Sequence, residues 1–331
     1  MTPTSAVASA LDRGAPGFRH EMYPHHGTDE FLSGALSFIH DALAGEEIVL
    51  VAVSADKEQL LRSEITDTPA GVVYLDTTAL GRNPGRLIPA WQDWITAQAQ
   101  AGHPVRGINE AAWSGRTAAE SAELRYHEWL LNRAFAGSPA WWLLCPYDTT
   151  TVDPEILRAG RRCHPLVLQG GEHTPSDAFS DEAYPHEPFG VPCDPFEELA
   201  FTRGGLSTVR EKVAACAGAH GLEGSRLREL QVAVTECAVN SIKYGGGGGT
   251  LRTWVEDATL ICEFHDDGYL EDPLAGRRRP TVDQLGGRGL WLVHQLCDLV
   301  QIRTGPTGGT TIRLHTYLDH GGSLDEPGPR T

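Results

Sequence analysis

At 331 residues the chain is longer than one average domain, and 40% hydrophobic with 8% aromatic residues is enough for sizeable buried cores. A formal charge of −17, from 44 acidic against 27 basic residues, repels phosphate backbones and anionic lipid, which argues against direct binding of nucleic acid or of a membrane. Seven cysteines, widely spaced and never in a CxxC pair, argue against both a disulfide scaffold and a zinc cage.

Residues 1–17, MTPTSAVASALDRGAPG, lack a basic start followed by an apolar core, and read as a disordered N-terminus rather than a signal peptide. No run approaches the roughly 20 apolar residues that span a bilayer, so a cytoplasmic location is expected. A short strand is expected at 19–23. An amphipathic helix then opens at Thr28, Asp29 and Glu30 and carries Phe31, Leu32, Leu36, Ile39 and Leu43. Apolar runs at 48–53, 72–75, 140–145 and 165–168 read as buried parallel strands, with helices at 84–101 and 118–136. Strands alternating with helices over 18–169 predict an α/β domain with a parallel sheet.

Residues 170–196 are rich in Pro, Gly and acid and read as a linker or an extended strap. The second block spans 197–318. Helices are expected at 206–220 and 225–244, then strands at 251–256 and 259–265 joined at Asp257 and Ala258. A helix at 289–296 and strands at 299–303 and 310–316, paired across GPTGG, complete it. Helices first and an antiparallel sheet after predict an α+β sandwich. Residues 319–331 read as a flexible tail.

Four motifs in the second block carry chemistry. Glu236 and Asn240, in TECAVNSIKYGG, lie at i and i+4 and share one helix face, where they can share a magnesium ion and its water. Asp266 follows a strand, where it can read an adenine, and Gly268 leaves room for the ring; Asp267 is the plain turn carboxylate beside it. Gly287, Arg288, Gly289 and Leu290 open a helix whose N–H groups and dipole favour phosphate. Thr310 stands in GGTT. Lys243 reaches a phosphate or is a helix-end cation held by the dipole. Arg288 is a phosphate contact or a solvated residue, and Thr310 by itself reads as an ordinary strand threonine. The glycine run at 245–249 has no GK[ST] ending and reads as a turn. Arg277, Arg278 and Arg279 read as a solvated charge run.

In this order and on these elements the motifs resemble the GHKL ATPase superfamily of gyrase, Hsp90, histidine kinases and MutL. Within it the likeness is to the anti-sigma-factor serine/threonine kinases of Gram-positive bacteria. The resemblance covers 197–318 and implies bound ATP and Mg2+. It makes Glu236 the catalytic base or water-positioner and Asn240 the magnesium ligand. Asp266 and Gly268 become adenine contacts, Thr310 the small hydroxyl residue beneath the adenine, Arg288 a γ-phosphate contact, and 272–284 a mobile lid. The implied partners are a STAS-type anti-anti-sigma protein, a sigma factor, or both, and a homodimer is implied by analogy.

In the first block, HEMYPHHGTDEFLSGALSFI, LGRNPGRLIPAW, PVRGINEAAW, ELRYHEWLLNRAF and WWLLCPYD resemble the MEDS sensory domain. That implies a RecA- or KaiC-like fold without a phosphate loop. Here two carboxylates and no lysine stand at the first helix start. His20, Tyr23, Glu110, Trp113, His127, Glu128 and Tyr147 are candidate lining for a sensory pocket, or partners in a packed interface. His20, His25 and His26 could hold a metal but lack the usual Cys/His spacing. Trp141 and Trp142 read as sheet core.

The expected function is an ATP-dependent regulator whose kinase domain acts on a STAS-type partner under control of an N-terminal sensor. Two alternatives stand beside it: a binding switch that holds ATP without phosphotransfer, and a histidine-kinase-like signalling protein. The latter lacks the expected upstream helical hairpin.

Overall fold

The computed structural model describes residues 17–65, 71–77, 81–111, 115–186, 189–192, 195–281, 284 and 286–318. The chain divides into two compact units, Met1–Pro185 and His186–Thr331.

The first unit is an α/β layer structure. Its elements are β1 (Phe18–His25), α1 (Gly27–Ala44), β2 (Ile48–Val53), α2 (Ala55–Glu64), β3 (Val72–Asp76) and α3 (Leu87–Gln100). They continue with β4 (Val105–Asn109), α4 (Ala118–Ala134), β5 (Trp141–Asp148), α5 (Pro154–Cys163), β6 (Leu166–Gln169) and β7 (Glu172–Pro175). The strands lie in the order β3-β2-β4-β5-β1-β6-β7. All neighbours pair in parallel except β6 and β7, which form an antiparallel hairpin.

Helices on both faces explain why β2 and β5 are almost continuously apolar. Phe31, Ala35, Phe38 and Ile39 of α1, with Leu61 of α2, bury one face against Val49, Val51, Trp142 and Leu144. On the other face Trp91 of α3 packs over Trp141 at 5.4 Å between ring centroids. The start of α4 is fixed by a capping box, in which Thr117 accepts from Glu120 N–H and Glu120 accepts from Thr117 N–H.

The stretch read as a linker or strap is not uniformly irregular. Residues 172–175 complete the sheet as β7, and His173 there meets the fully buried Glu21, which also accepts from Trp142 Nε1. Beyond β7, the carbonyl of Glu182 accepts from Trp129 Nε1 on α4. β4, α2 and α5 were not foreseen either. β4 is five residues interrupted by Arg106 and Gly107, and α2 buries only Leu61.

The second unit contains β8 (Glu197–Thr202), α6 (Leu206–Ala219), α7 (Gly224–Tyr244), β9 (Gly248–Glu256), β10 (Thr259–Asp266), α8 (Arg288–Leu296), β11 (Leu299–Gly305) and β12 (Gly309–Tyr317). Its sheet is antiparallel, in the order β11-β12-β10-β9-β8. One face carries the helices. Leu230, Ala233, Val234, Cys237 and Ala238 form the buried stripe of α7 and pack with Val209 and Val213 of α6, Val293 of α8 and the sheet residues Leu251, Leu260, Phe264, Ile312 and Leu314. The β9–β10 turn is at Asp257 and Ala258, whose positive φ values, 45° and 54°, match the twist of a two-residue hairpin. Edge strand β8 buries only Phe201, so its sequence carries no alternation to read. Among the described residues no helix is long and apolar enough to cross a membrane.

Candidate functional site

The stripe that buries Cys237 and Ala238 leaves Glu236 and Asn240 half-buried on a neighbouring face of α7. Against them comes the start of α8. A Cβ on Gly289 would stand 2.5 Å from Glu236 Oε2 and 3.7 Å from Asn240 Nδ2, so only glycine permits this approach. The residue before the helix, Gly287, is left-handed at φ 82° and supplies no side-chain cap. The first N–H groups of α8 therefore begin beside a carboxylate and an amide.

Asp266 closes the other side. The strand register pairs it with Thr310. Its Oδ1 accepts from Gly268 N–H at 2.9 Å, and among the described residues Oδ2 has no such partner. The Thr310 hydroxyl donates to the Gly268 carbonyl and meets the Thr304 hydroxyl, each at 2.8 Å. Gly245, at the end of α7, lies so near that a Cβ there would fall on the Asp266 carboxyl group. The second half of α7 thus brings a carboxylate and an amide to a helix start, and its end meets, at Gly245, a second carboxylate held by a turn.

In the first unit His20, Glu128, Cys145 and His164 converge between the sheet and helices α4 and α5, all buried. Burial lowers the pKa of His20 and of His164 to about 3 and holds both rings neutral. It also raises the Glu128 carboxyl, and it pushes the Cys145 thiol well above its ordinary range.

Residues 19–165 match MEDS, the MEthanogen/methylotroph, DcmR Sensory domain, and residues 200–316 match the histidine kinase-like ATPase domain. The chain is a MEDS domain followed by a histidine kinase-like ATPase domain. Similar solved structures include the RsbU and RsbW domains of Rv1364c from Mycobacterium tuberculosis, 18% identical with a TM-score of 0.29, covering 37% of this chain and 32% of that one. The histidine kinase AdeS of Acinetobacter baumannii is 15% identical with a TM-score of 0.23, covering 38% of this chain and 68% of that one. The chain spans about a third of the length of the first. At such scores neither likeness carries functional weight. No curated protein matches the chain.

In the ATPase domain, Glu236 and Asn240 meet Gly289, and Asp266 meets Gly268 and Thr310 beside Gly245 at the end of the same helix, α7. Leu290 instead packs into the core beside Gly276. Lys243 is exposed, with its ammonium 4.8 Å from the Tyr244 ring. Arg288 is exposed and donates to the carbonyl of Thr281 at 3.4 Å. The arginine run is split: Arg278 and Arg279 are solvated as expected, but Arg277 is 1% exposed. The cause is the fold of the segment, which turns Leu274, Gly276 and Arg277 inward.

In the MEDS domain the candidates separate. His20, Glu128 and Tyr147 share the α4/α5 side, with the Tyr147 ring 5.7 Å from that of His164. Tyr23 lies on the opposite face against Gly34 of α1 and donates to the Glu30 carbonyl. Glu110 pairs with Lys57 and accepts from Ser54 N–H. His127 is fully buried on α4. Trp113 lies outside the described residues. His25 and His26 do not join His20, since His25 faces α1 and stands 5.4 Å from Phe31. Cys145 and His164 were missed, because four ligands drawn from β1, α4, β5 and the turn after α5 leave no spacing to find.

Proposed function

We propose that the protein is an ATP-dependent regulatory kinase. Its ATPase domain transfers phosphate to a serine or threonine of a STAS-type anti-anti-sigma protein, and its MEDS domain adjusts that activity to a signal. The observation that carries this reading is the seating of Gly289, at the start of α8, directly against Glu236 and Asn240. A carboxylate alone would be an ordinary partner for a helix start, but the amide one turn along the same face and the bare glycine approach suit a shared ion and phosphate.

Asn240 would hold Mg2+, a small ion that takes few protein ligands and keeps phosphate oxygens and water. The N–H groups of α8 after Gly287, with Lys243 and Arg288 in reach of solvent, would hold the phosphates. Asp266 Oδ2 would accept from the adenine amine, and Thr310 would keep the Gly268 turn in place for it. When bound, Mg·ATP supplies the transferable phosphoryl group. Glu236 accepts the proton of the incoming hydroxyl and aligns its oxygen.

In the MEDS domain the start of α1 is already occupied from within the chain. His26 N–H donates to Glu30 at 2.7 Å, and Gly27 N–H to Asp148 at 3.4 Å. This suits a RecA- or KaiC-type scaffold from which phosphate binding has been lost. A cytoplasmic regulator, working as a homodimer, completes the proposal.

Incubating the full chain with labelled ATP, Mg2+ and a STAS protein from the same cell tests it. An acid-stable phosphoester on the partner, absent with Glu236→Gln, is expected. Binding without transfer would reduce the protein to a switch, and an acid-labile label on the chain itself would make it a histidine kinase.

A further inference from the structure

We propose that the MEDS domain holds one transition-metal ion of the zinc class, in a closed site formed by His20, Glu128, Cys145 and His164. The inference stands on the geometry of this domain alone and does not rest on the kinase reading. The four residues come from β1, α4, β5 and the turn after α5. One ligand atom from each lies within 4.8 Å of the others, and every one is buried.

Three of the six separations are those of a coordination sphere. His20 Nε2 and His164 Nε2 each stand 3.4 Å from Glu128 Oε2, and Cys145 Sγ stands 3.5 Å from His20 Nε2. Tetrahedral Zn–N, Zn–O and Zn–S bonds of about 2.0–2.3 Å give ligand-to-ligand edges of about 3.3–3.8 Å.

Hydrogen bonding does not account for the cluster. His20 Nδ1 faces Asn132 Oδ1 at 3.2 Å, and the orientation of that amide is fixed because Asn132 Nδ2 donates to the Cys163 carbonyl at 2.7 Å. His164 Nδ1 faces the Gly160 carbonyl at 2.7 Å. Both Nδ1 atoms therefore carry the hydrogen, and both Nε2 atoms present lone pairs to the centre. A thiol donating to His20 explains one of the three approaches. It leaves His164 Nε2 and both oxygens of Glu128 without a hydrogen-bond partner in a buried place. A proton on Glu128 would serve one ring nitrogen and leave the other unmet, whereas one cation at the centre meets all of these lone pairs.

Two imidazole nitrogens, one sulfur and one carboxylate suit Zn2+ or its neighbours, whereas Mg2+ and Ca2+ take oxygen. The acceptors that hold both Nδ1 atoms are the outer support that metal-bound histidines use. Coordination expels the Cys145 thiol proton and takes Glu128 as carboxylate. Two negative charges then offset the divalent ion, leaving a neutral buried centre. With four protein ligands there is no open position, so the ion clamps α4 and α5 to β1 and β5 rather than performing chemistry.

The test uses metal-stripped full chain titrated with Co2+ alone and then Zn2+ alone. One Co2+ per chain, with a thiolate-to-cobalt charge-transfer band that Zn2+ displaces, is expected. Asn132→Ala should weaken uptake by about 10–100-fold, and Cys145→Ser should abolish the band. Uptake indifferent to both substitutions, or none at all, overturns the site. Should the variants fail to fold, X-ray absorption on the zinc-loaded wild type decides. A shell of two nitrogens, one sulfur and one oxygen supports the proposal, and a sulfur-free shell overturns it.

Discussion

Asp266 owes its orientation to its neighbours. One oxygen is held by Gly268 N–H, that turn is held by the Thr310 hydroxyl, and Gly245 leaves room for the carboxyl group. Asp266→Asn should keep this frame while exchanging an acceptor for a donor where adenine binds. Nucleotide affinity should fall by about 10–100-fold, corresponding to ~1.5–3 kcal/mol for a hydrogen bond to a charged group, at unchanged melting temperature. Equal affinity would move the adenine site elsewhere. Gly289→Val should push the start of α8 off Glu236 and reduce ATP binding with the sheet intact, as read by circular dichroism and calorimetry. What was legible at this scale was local. Glu236 and Asn240 are four apart, and Asp266 and Gly268 two apart, so spacing alone put each pair together. His20, Glu128, Cys145 and His164 are far apart in sequence and meet only through β1–β5 pairing and the packing of α4 and α5, which no spacing records.

Elements with strong periodicity were legible and weak ones were not. α7 shows its stripe from Leu230 to Ser241, and β2 its apolar run, whereas α2 and β8 each bury one large side chain and leave no pattern to find. The capping box at Thr117 sets the start of the helix that carries Glu128 and Asn132. Thr117→Ala should therefore destabilise the MEDS domain by ~1 kcal/mol in denaturant titrations, and no change in midpoint would show the cap idle. β12 offers a pH test. His315 is buried against Gln301 at 3.1 Å, and burial lowers its pKa to about 4. The folded state keeps the ring neutral, while the unfolded chain takes up a proton below about 6.5. Stability from this residue is thus complete above pH 6.5 and is lost as pH falls toward 4, by ~3 kcal/mol. His315→Gln should flatten the stability profile of the ATPase domain across that window, and an unchanged slope would assign it to other groups.

At the scale of the whole molecule, composition and alternation gave two domains of different class, an α/β parallel sheet and an α+β antiparallel one, and both are present. The sequence did not show that part of the Pro-rich stretch closes the first sheet, because β7 is held by Glu21 and by pairing with β6 rather than by its own apolar residues. Each unit has its own core, so two unfolding transitions are expected by calorimetry. Mg·ATP at 100 times its dissociation constant should raise the ATPase transition by the equivalent of about 2.7 kcal/mol. Any shift of the MEDS transition would measure coupling between domains, and reciprocity then requires MEDS ligands to alter ATP affinity by the same factor. The central claim is a magnesium-dependent ATP site with Asn240 as the protein's ligand to the ion. Calorimetric titration of the full chain with ATP, with and without Mg2+, for wild type and Asn240→Ala, tests it most directly. One ATP per chain should bind with Mg2+, and affinity should fall by about tenfold or more, ~1.4 kcal/mol, when either the ion or the amide is removed. Binding that ignores both, or no binding at all, would contradict it.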